Sequence, residues 1–342
     1  MNPNLLAETA GRLVADDKGI LAMDESSPTC NRRFGGLGIP QTAEMRRDYR
    51  EMLMTTPGLA EGISGTILCD ETIRQRASDG TPFLDVLRDA GIVPGIKVDA
   101  GVTDLAAHPG EKITEGLDGL RGRLAEYFQM GARFAKWRAV FAVGEHIPSR
   151  SGLEANAHAL ARFAALAQEV GLVPIVEPEV LGDGEHTLEQ CSIVTQEVLR
   201  NVVIQLNCQR VLLEGLILKP NMVLPGLGCP VPATVDEVAN ATLMELLRTV
   251  PAAIPGIAFL SGGQSGELAT AHLNAMNRRL KSRPPWALAF SFARAIQRPV
   301  LDLWRGEAGN VKAAQHALAH RARCNRTARR GEYVIAMEGG RG

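Results

Sequence analysis

Eight short apolar runs, most of them ending near a charged residue, constrain this chain more than any other feature. They occupy residues 20–24, 63–70, 94–99, 134–140, 172–179, 213–219, 256–262 and 286–292. Between most of them lies room for a helix, and 42–55, 117–130, 154–169, 188–206 and 235–249 carry apolar residues at helical spacing. Strands alternating with helices argue for α/β organisation, and a count of eight suits a closed (β/α)8 TIM barrel. The competing architecture is an open doubly wound sheet. A dinucleotide site in such a sheet places G-x-G-x-x-G between a strand and a helix, whereas Gly35, Gly36 and Gly38 run into Ile39 and Pro40. With no Pro/Ser-rich linker and no shift in composition, residues 1–342 are expected to form a single barrel domain. An N-terminal helix is expected to reach Lys18, with Gly19 closing it. A C-terminal helix is expected after Asn310, followed by a short flexible tail ending loosely in GGRG.

Composition removes several functional classes. With 37 Lys+Arg against 38 Asp+Glu the formal net charge is -1, so no whole-molecule field attracts nucleic acid or an anionic membrane. Any phosphate binding must come from a local site. The opening MNPNLLAETAGRLVADD lacks the pattern of a secretory signal, and no apolar run is long enough to span a bilayer. The 6 cysteines are scattered without a C-x-x-C pair, which fits reduced thiols in the cytoplasm. Residues 321–330 are basic, but no aromatic side chains interleave with the arginines, so the stretch reads as a solvated helix face.

The charged residues inside the apolar runs carry the chemistry. Side chains alternate across a strand, so Lys136 and Arg138 share one face while Trp137 takes the other. Glu177 and Glu179 likewise share a face, as do Lys97 and Asp99. Asp24 and Lys219 end their runs, near the C-terminal mouth where barrel active sites form. Charges of both signs in apolar surroundings require partners. A lysine among other cations and low-dielectric walls favours its amine, which can attack a ketone, and carboxylates beside it can move the protons. The resulting iminium is an electron sink that removes the need for a metal. Ser261–Gly262–Gly263–Gln264–Ser265–Gly266, after the seventh run, can offer backbone amides to a phosphate, with Arg294 closing the same pocket; a plain strand-to-helix turn is the alternative. His316 and His320 lie four apart without the glutamate of a zincin motif, and His108, His146, His158, His186 and His272 form no local ligand cluster. Neither a P-loop nor a G-x-S-x-G motif occurs.

At Leu218–Lys219–Pro220–Asn221–Met222 the sequence resembles the Schiff-base peptide of the class I fructose-1,6-bisphosphate aldolases. KGILAMDES, GIKVDAG, EGLDGL, FAKWR, VPIVEPE, LEGLILKPNM, FLSGGQS and PWALAFSFARA extend the resemblance over nearly the whole chain. It implies that Lys219 is the covalent nucleophile, that Glu177 is general acid and base for carbinolamine dehydration, and that Asp24 accepts the C4 hydroxyl proton. It further implies that Lys136 balances the cluster and assists proton transfer, with Glu179 and Lys97 in support. Ser261, Gly262 and Arg294 match positions that hold the C1 phosphate; Ser26, Arg33 and Arg138 match the end that receives the other phosphate or the open-chain hydroxyls. The implied reaction is reversible cleavage to glycerone phosphate and glyceraldehyde 3-phosphate, in glycolysis or gluconeogenesis, by a cytoplasmic homotetramer that uses no cofactor and no metal. No nucleic-acid or membrane partner is implied.

Three departures stand out. The sequence has no terminal tyrosine of the animal type, leaving water, Glu179 or Tyr333 for enamine protonation. Ser27–Pro28–Thr29–Cys30 is similar to the plant and bacterial branch, and Ala293 occupies a position where glycine is frequent. Two other readings remain. An aldolase for fructose 1-phosphate or sedoheptulose 1,7-bisphosphate would share the Schiff-base residues, and a silent barrel would serve as a scaffold.

Overall fold

The computed structural model describes residues 2–280 and 285–339. Eight parallel strands form one sheet: β1 (Gly19–Ala22), β2 (Ile63–Leu68), β3 (Val93–Lys97), β6 (Phe134–Phe141), β7 (Val173–Val180), β8 (Ile217–Leu218), β9 (Gly256–Phe259) and β10 (Ala287–Phe290). Each pairs with the next in that order, and the Ala22 amide donates to the Phe292 carbonyl at 3.3 Å, bringing the first and last strands together. Helices alternate with the strands, as the apolar spacing predicts, giving the (β/α)8 barrel. The outer helices include α3 (Ala43–Met54), α5 (Phe83–Asp89), α6 (Leu120–Met130), α7 (Arg150–Glu169), α8 (Leu188–Cys208), α9 (Val235–Thr249), α10 (Gly266–Arg279) and α11 (Arg294–Trp304).

Alternation along the strands divides the core in two. Ile20 and Ala22, Val93, Phe134, Val173 and Ile175, Ile217, Ala258 and Ala289 fill the lumen as one apolar cluster. The intervening residues face the helix layer; Trp137, fully buried, stacks on Phe163 of α7 with ring centroids 5.8 Å apart. Small residues make room for large ones in the lumen: a Cβ on Gly95 would come within 2.2 Å of the Phe134 ring. From the N-terminal end of the barrel, α1 (Pro3–Leu13) plugs the lumen with Leu6, Ala10 and Leu13. The helix ends at Leu13, short of the expected Lys18, because Asp16 and Asp17 turn the chain in left-handed conformations at φ 53° and 58°.

Four other local expectations change. The sixth run is mainly a 3₁₀ turn, Leu213–Gly215, followed by a two-residue strand. There the Gln168 side chain donates to the Leu212 and Gly215 carbonyls in place of a ladder, although the Lys219 amide still donates to Val176 at 2.8 Å. The antiparallel hairpin β4 (Gly101–Asp104) and β5 (Lys112–Glu115), α2 (Ser27–Gly35) and the short α4 (Asp70–Ile73) were not expected. The C-terminal helix, α12 (Val311–Arg329), starts where expected, but its basic end is no solvated face throughout. Arg321 is buried against Glu338 and Thr270, and the Arg329 guanidinium donates to the carbonyls of Val14, Lys18 and Leu288. Likewise the tail is tied down as far as Glu338, which accepts from the Tyr333 hydroxyl at 2.7 Å; residues 340–342 of GGRG lie outside the described residues.

Candidate active site

The lumen rows change character toward the C-terminal mouth. On β7 the inward row runs Val173, Ile175, Glu177, Glu179; on β6 it runs Phe134, Lys136, Arg138; beyond β1 it runs Ile20, Ala22, Asp24. β8 contributes Ile217 and then Lys219, and β3 ends on Lys97. Strand alternation therefore lifts each charge from an apolar floor into one cavity of about 400 Å³. All the residues singled out from the sequence line it: Asp24, Lys97, Lys136, Glu177, Glu179 and Lys219 in its depth and on its walls, Ser26, Arg33 and Arg138 on one side, and Ser261, Gly262 and Arg294 in the late-strand loops.

A buried chain of alternating charge forms the floor. Lys136 Nζ lies 2.7 Å from Asp24 Oδ2 and 2.9 Å from Glu177 Oε2, while Glu177 Oε1 lies 3.1 Å from Lys219 Nζ. Burial alone would raise the Asp24 and Glu177 carboxyls, but the Lys136 and Lys219 ammonium positions outweigh it and hold both below the usual carboxylate range. For Lys136, burial works against the charge, yet Asp24, Glu177 and Asp99 together push its pKa up well beyond an ordinary lysine. Such a cluster keeps its charges only as a unit: removal of one member leaves another buried and uncompensated.

Around the mouth, each large cation save one faces an acid. Lys97 pairs with Asp99 at 2.6 Å, Arg138 with Glu179 at 2.5 Å, and Arg33 with Glu25 at 2.6 Å. Glu25, absent from the sequence-based set, has a side chain only 6% exposed that also meets Arg50 at 2.8 Å and the Gln297 side chain at 2.8 Å. Its only sequence signal was its place beside Asp24. Arg294 makes no ion pair among the described residues and opens toward solvent at the start of α11. Opposite it, Gly262 and Gly263 take left-handed φ of 54° and 86°, a turn that glycine adopts without a Cβ clash. Together with the N-terminus of α11 this turn forms an anion-accepting corner. Ala293 sits there with φ −106°, so the alanine needs no glycine-only conformation. Over the opposite rim lies the hairpin, whose Thr114 hydroxyl donates to the Arg138 carbonyl at 2.8 Å.

Tyr333 is not part of this cavity; it lies buried beside Asn274 and Arg278 on the outside of the barrel. Among the described residues, one grouping of His, Cys and acid brings liganding atoms within 4.8 Å of one another: His320, Cys324 and Glu338. Glu338 already accepts from Arg321 at 2.6 Å and from Tyr333, so the grouping clasps the tail to α12. The described cysteines are free thiols. No helix among the described residues is long and apolar enough to cross a membrane.

Residues 5–341 match the model of the family described as fructose-bisphosphate aldolase class-I. A probable fructose-bisphosphate aldolase class 1 of Xanthomonas campestris pv. campestris is 55% identical over 334 residues, 97% of this chain and 99% of that protein. Fructose-bisphosphate aldolase 6, cytosolic, of Arabidopsis thaliana is 49% identical, with 96% and 91% of the two chains covered. Among solved structures, the fructose-bisphosphate aldolase of Plasmodium falciparum, crystallised with TRAP and a small-molecule inhibitor, superposes with a TM-score of 0.95. It shares 46% identity over 97% of this chain and 96% of that one.

Proposed function

The chain belongs to the class I fructose-bisphosphate aldolase family, and from this premise we propose that its cleavage of fructose 1,6-bisphosphate runs through Lys219 and the charged cluster around it. The observation that carries the assignment is the 3.1 Å approach of Lys219 Nζ to Glu177 Oε1 at the foot of the cavity. That distance is within reach for proton transfer at the nucleophile. The Glu177 carboxylate takes a proton from the Lys219 ammonium, and the freed amine adds to the C2 carbonyl to give a carbinolamine. Glu177 then donates a proton to the departing hydroxyl, and water leaves as the iminium forms. Asp24, held ionised by Lys136, takes the C4 hydroxyl proton; the C3–C4 bond breaks, its electron pair flows into the enamine, and C4 leaves as the aldehyde of glyceraldehyde 3-phosphate. Water or Glu179 is left to manage the proton returned to C3, because Tyr333 lies elsewhere.

In the same reading Ser261, Gly262 and Arg294 receive the C1 phosphate. Ser26, Arg33 and Arg138 receive the far end of the substrate, where a phosphate would compete with Glu25 and Glu179 for the two arginines. Lys97 and Glu179 support the cluster from the rim. The chemistry draws on no metal and no organic cofactor. Residues 1–342 act as one barrel domain in glycolysis or gluconeogenesis, in the cytoplasm, without nucleic-acid or membrane partners. Assembly as a homotetramer follows the family resemblance, and Ile193 and Ile204 on α8 with Met244 and Leu247 on α9, left exposed on neighbouring helices, offer apolar surface for a subunit contact.

Cleavage of fructose 1,6-bisphosphate and fructose 1-phosphate, measured in EDTA with borohydride added to a parallel sample, tests the reading. Activity should survive EDTA and be lost on trapping, and the bisphosphate should be preferred by roughly tenfold or more, as a charge-assisted contact implies. Lys219→Met should abolish both turnover and the trapped adduct. Substantial trapping in that variant would remove Lys219 from the nucleophile's role, and equal use of both sugars would remove the far-end arginines from phosphate recognition.

A further inference from the structure

The loop that carries Ser261 and Gly262 is held from behind by a side-chain relay that does not touch the cavity. The Ser261 carbonyl accepts twice from Gln264, from its backbone amide at 3.0 Å and from its side-chain Nε2 at 2.9 Å. Gln264 Nε2 also lies 3.6 Å from Met222 Sδ, three residues beyond Lys219, while the Leu260 amide donates to the Pro220 carbonyl at 3.1 Å. The phosphate corner and the nucleophile's peptide are thus joined at this point. Behind Gln264 stands His272 of α10, 1% exposed, with Nδ1 only 2.5 Å from Gln264 Oε1.

The hydrogen-bond inventory fixes the protonation pattern. Gln264 uses its amide nitrogen as donor toward Ser261, so its oxygen faces His272 and must accept; Nδ1 of the imidazole therefore carries the proton. His272 Nε2 is buried without a partner among the described residues, and burial pushes the pKa of the ring down to about 4, which keeps the ring neutral. An apolar side chain would fill this place without an orphaned nitrogen. What the histidine adds is the one donor that sets the orientation of the Gln264 amide. If that donor is lost, Gln264 Oε1 is left unsatisfied in the interior, and the amide is free to turn away from the Ser261 carbonyl.

We propose that His272 is a positioning residue for the phosphate corner: through Gln264 it holds the Ser261–Gly263 turn in the geometry that receives the substrate's C1 phosphate. This rests on the aldolase reading of the site above. His272 contacts neither substrate nor Lys219, so its effect falls on binding of the anionic group and not on the Schiff-base steps. The relevant atom is Nδ1, and the side-chain nitrogen of asparagine occupies nearly the same place relative to the backbone. Asparagine should therefore restore what leucine removes.

The test compares wild type, His272→Leu and His272→Asn in three readouts: KM and kcat for fructose 1,6-bisphosphate, the inhibition constant of inorganic phosphate, and borohydride trapping at saturating glycerone phosphate. In His272→Leu both KM and the phosphate inhibition constant should rise about tenfold, with kcat within about threefold of wild type and trapping complete. His272→Asn should bring both constants back to within about threefold of wild type. Constants unchanged in His272→Leu, a loss confined to kcat, or a His272→Asn protein as impaired as His272→Leu would overturn the proposal. Should the leucine variant not fold, Gln264→Met gives the same decision: unchanged KM and phosphate inhibition there also overturn it. A wild type that neither cleaves nor traps is a different result, since it removes the aldolase reading and leaves nothing for His272 to position.

Discussion

Glu177 stands between two lysines, so the cluster depends on both its charge and its proton. Glu177→Gln keeps the shape while removing the negative charge and the transferable proton. Turnover should fall by roughly 10²–10⁴-fold, the range expected for a lost general acid–base group, while Lys219 remains available. Single-turnover kinetics with glycerone phosphate check this, because the defect must appear in dehydration; an unchanged rate of adduct formation would remove Glu177 from that step. His272 makes a separate prediction about stability. Its folded pKa of about 4 lies below the ordinary 6.5, so the unfolded chain takes up the proton first as the pH falls. The stability it contributes is fully present above about pH 6.5 and is lost progressively toward pH 4. Urea midpoints measured across that window should show His272→Asn with a shallower decline than wild type, by on the order of 1–3 kcal/mol at the acid end.

Two elements hold the barrel in ways their local sequence did not announce. α12 looks like a solvated basic helix until its partners are known, yet Arg329 closes the N-terminal end of the barrel by bridging the segment after α1 to the middle of β10. Among the described residues no carboxylate pairs with it at contact distance, and burial lowers its pKa to about 10. Three carbonyls satisfy its donors instead. Arg329→Leu strands those carbonyls in the interior and should reduce stability by roughly 2–4 kcal/mol, read as a lower urea midpoint with an unchanged slope. A neutral result would mean that water replaces the guanidinium there. The β4–β5 hairpin is the second such element. Its short strands carry mixed polar and apolar residues with no periodic signal, and it forms against the barrel rim through Thr114 and through the Ala100 amide bonded to Glu115 at 2.8 Å.

At the scale of the molecule, a formal net charge of -1 coexists with a cavity whose lining brings lysines and arginines together with almost as many acids. Attraction of an anionic sugar phosphate is therefore local and short in range. Raising the ionic strength should increase KM for fructose 1,6-bisphosphate several-fold while kcat changes little, since the buried floor is poorly screened. Steady-state assays across a salt series check this, and a fall in kcat at constant KM would contradict it. The barrel class, the face on which each charge lies and the residues gathered at the mouth were legible in the sequence, because strand alternation and strand-end position are local properties that survive any rearrangement elsewhere. Long motifs such as LEGLILKPNM and FLSGGQS determined the family on the same local footing. The folded chain alone shows which charges pair: Lys136 with Asp24 and Glu177, Arg33 with Glu25, Arg321 with Glu338. It also decided that α1 stops at Leu13, that Arg329 is interior, and that His272 stands behind the phosphate turn. Pairing depends on which distant segments meet, as with Arg329 and Lys18, 311 residues apart, and no periodicity within a segment encodes that meeting.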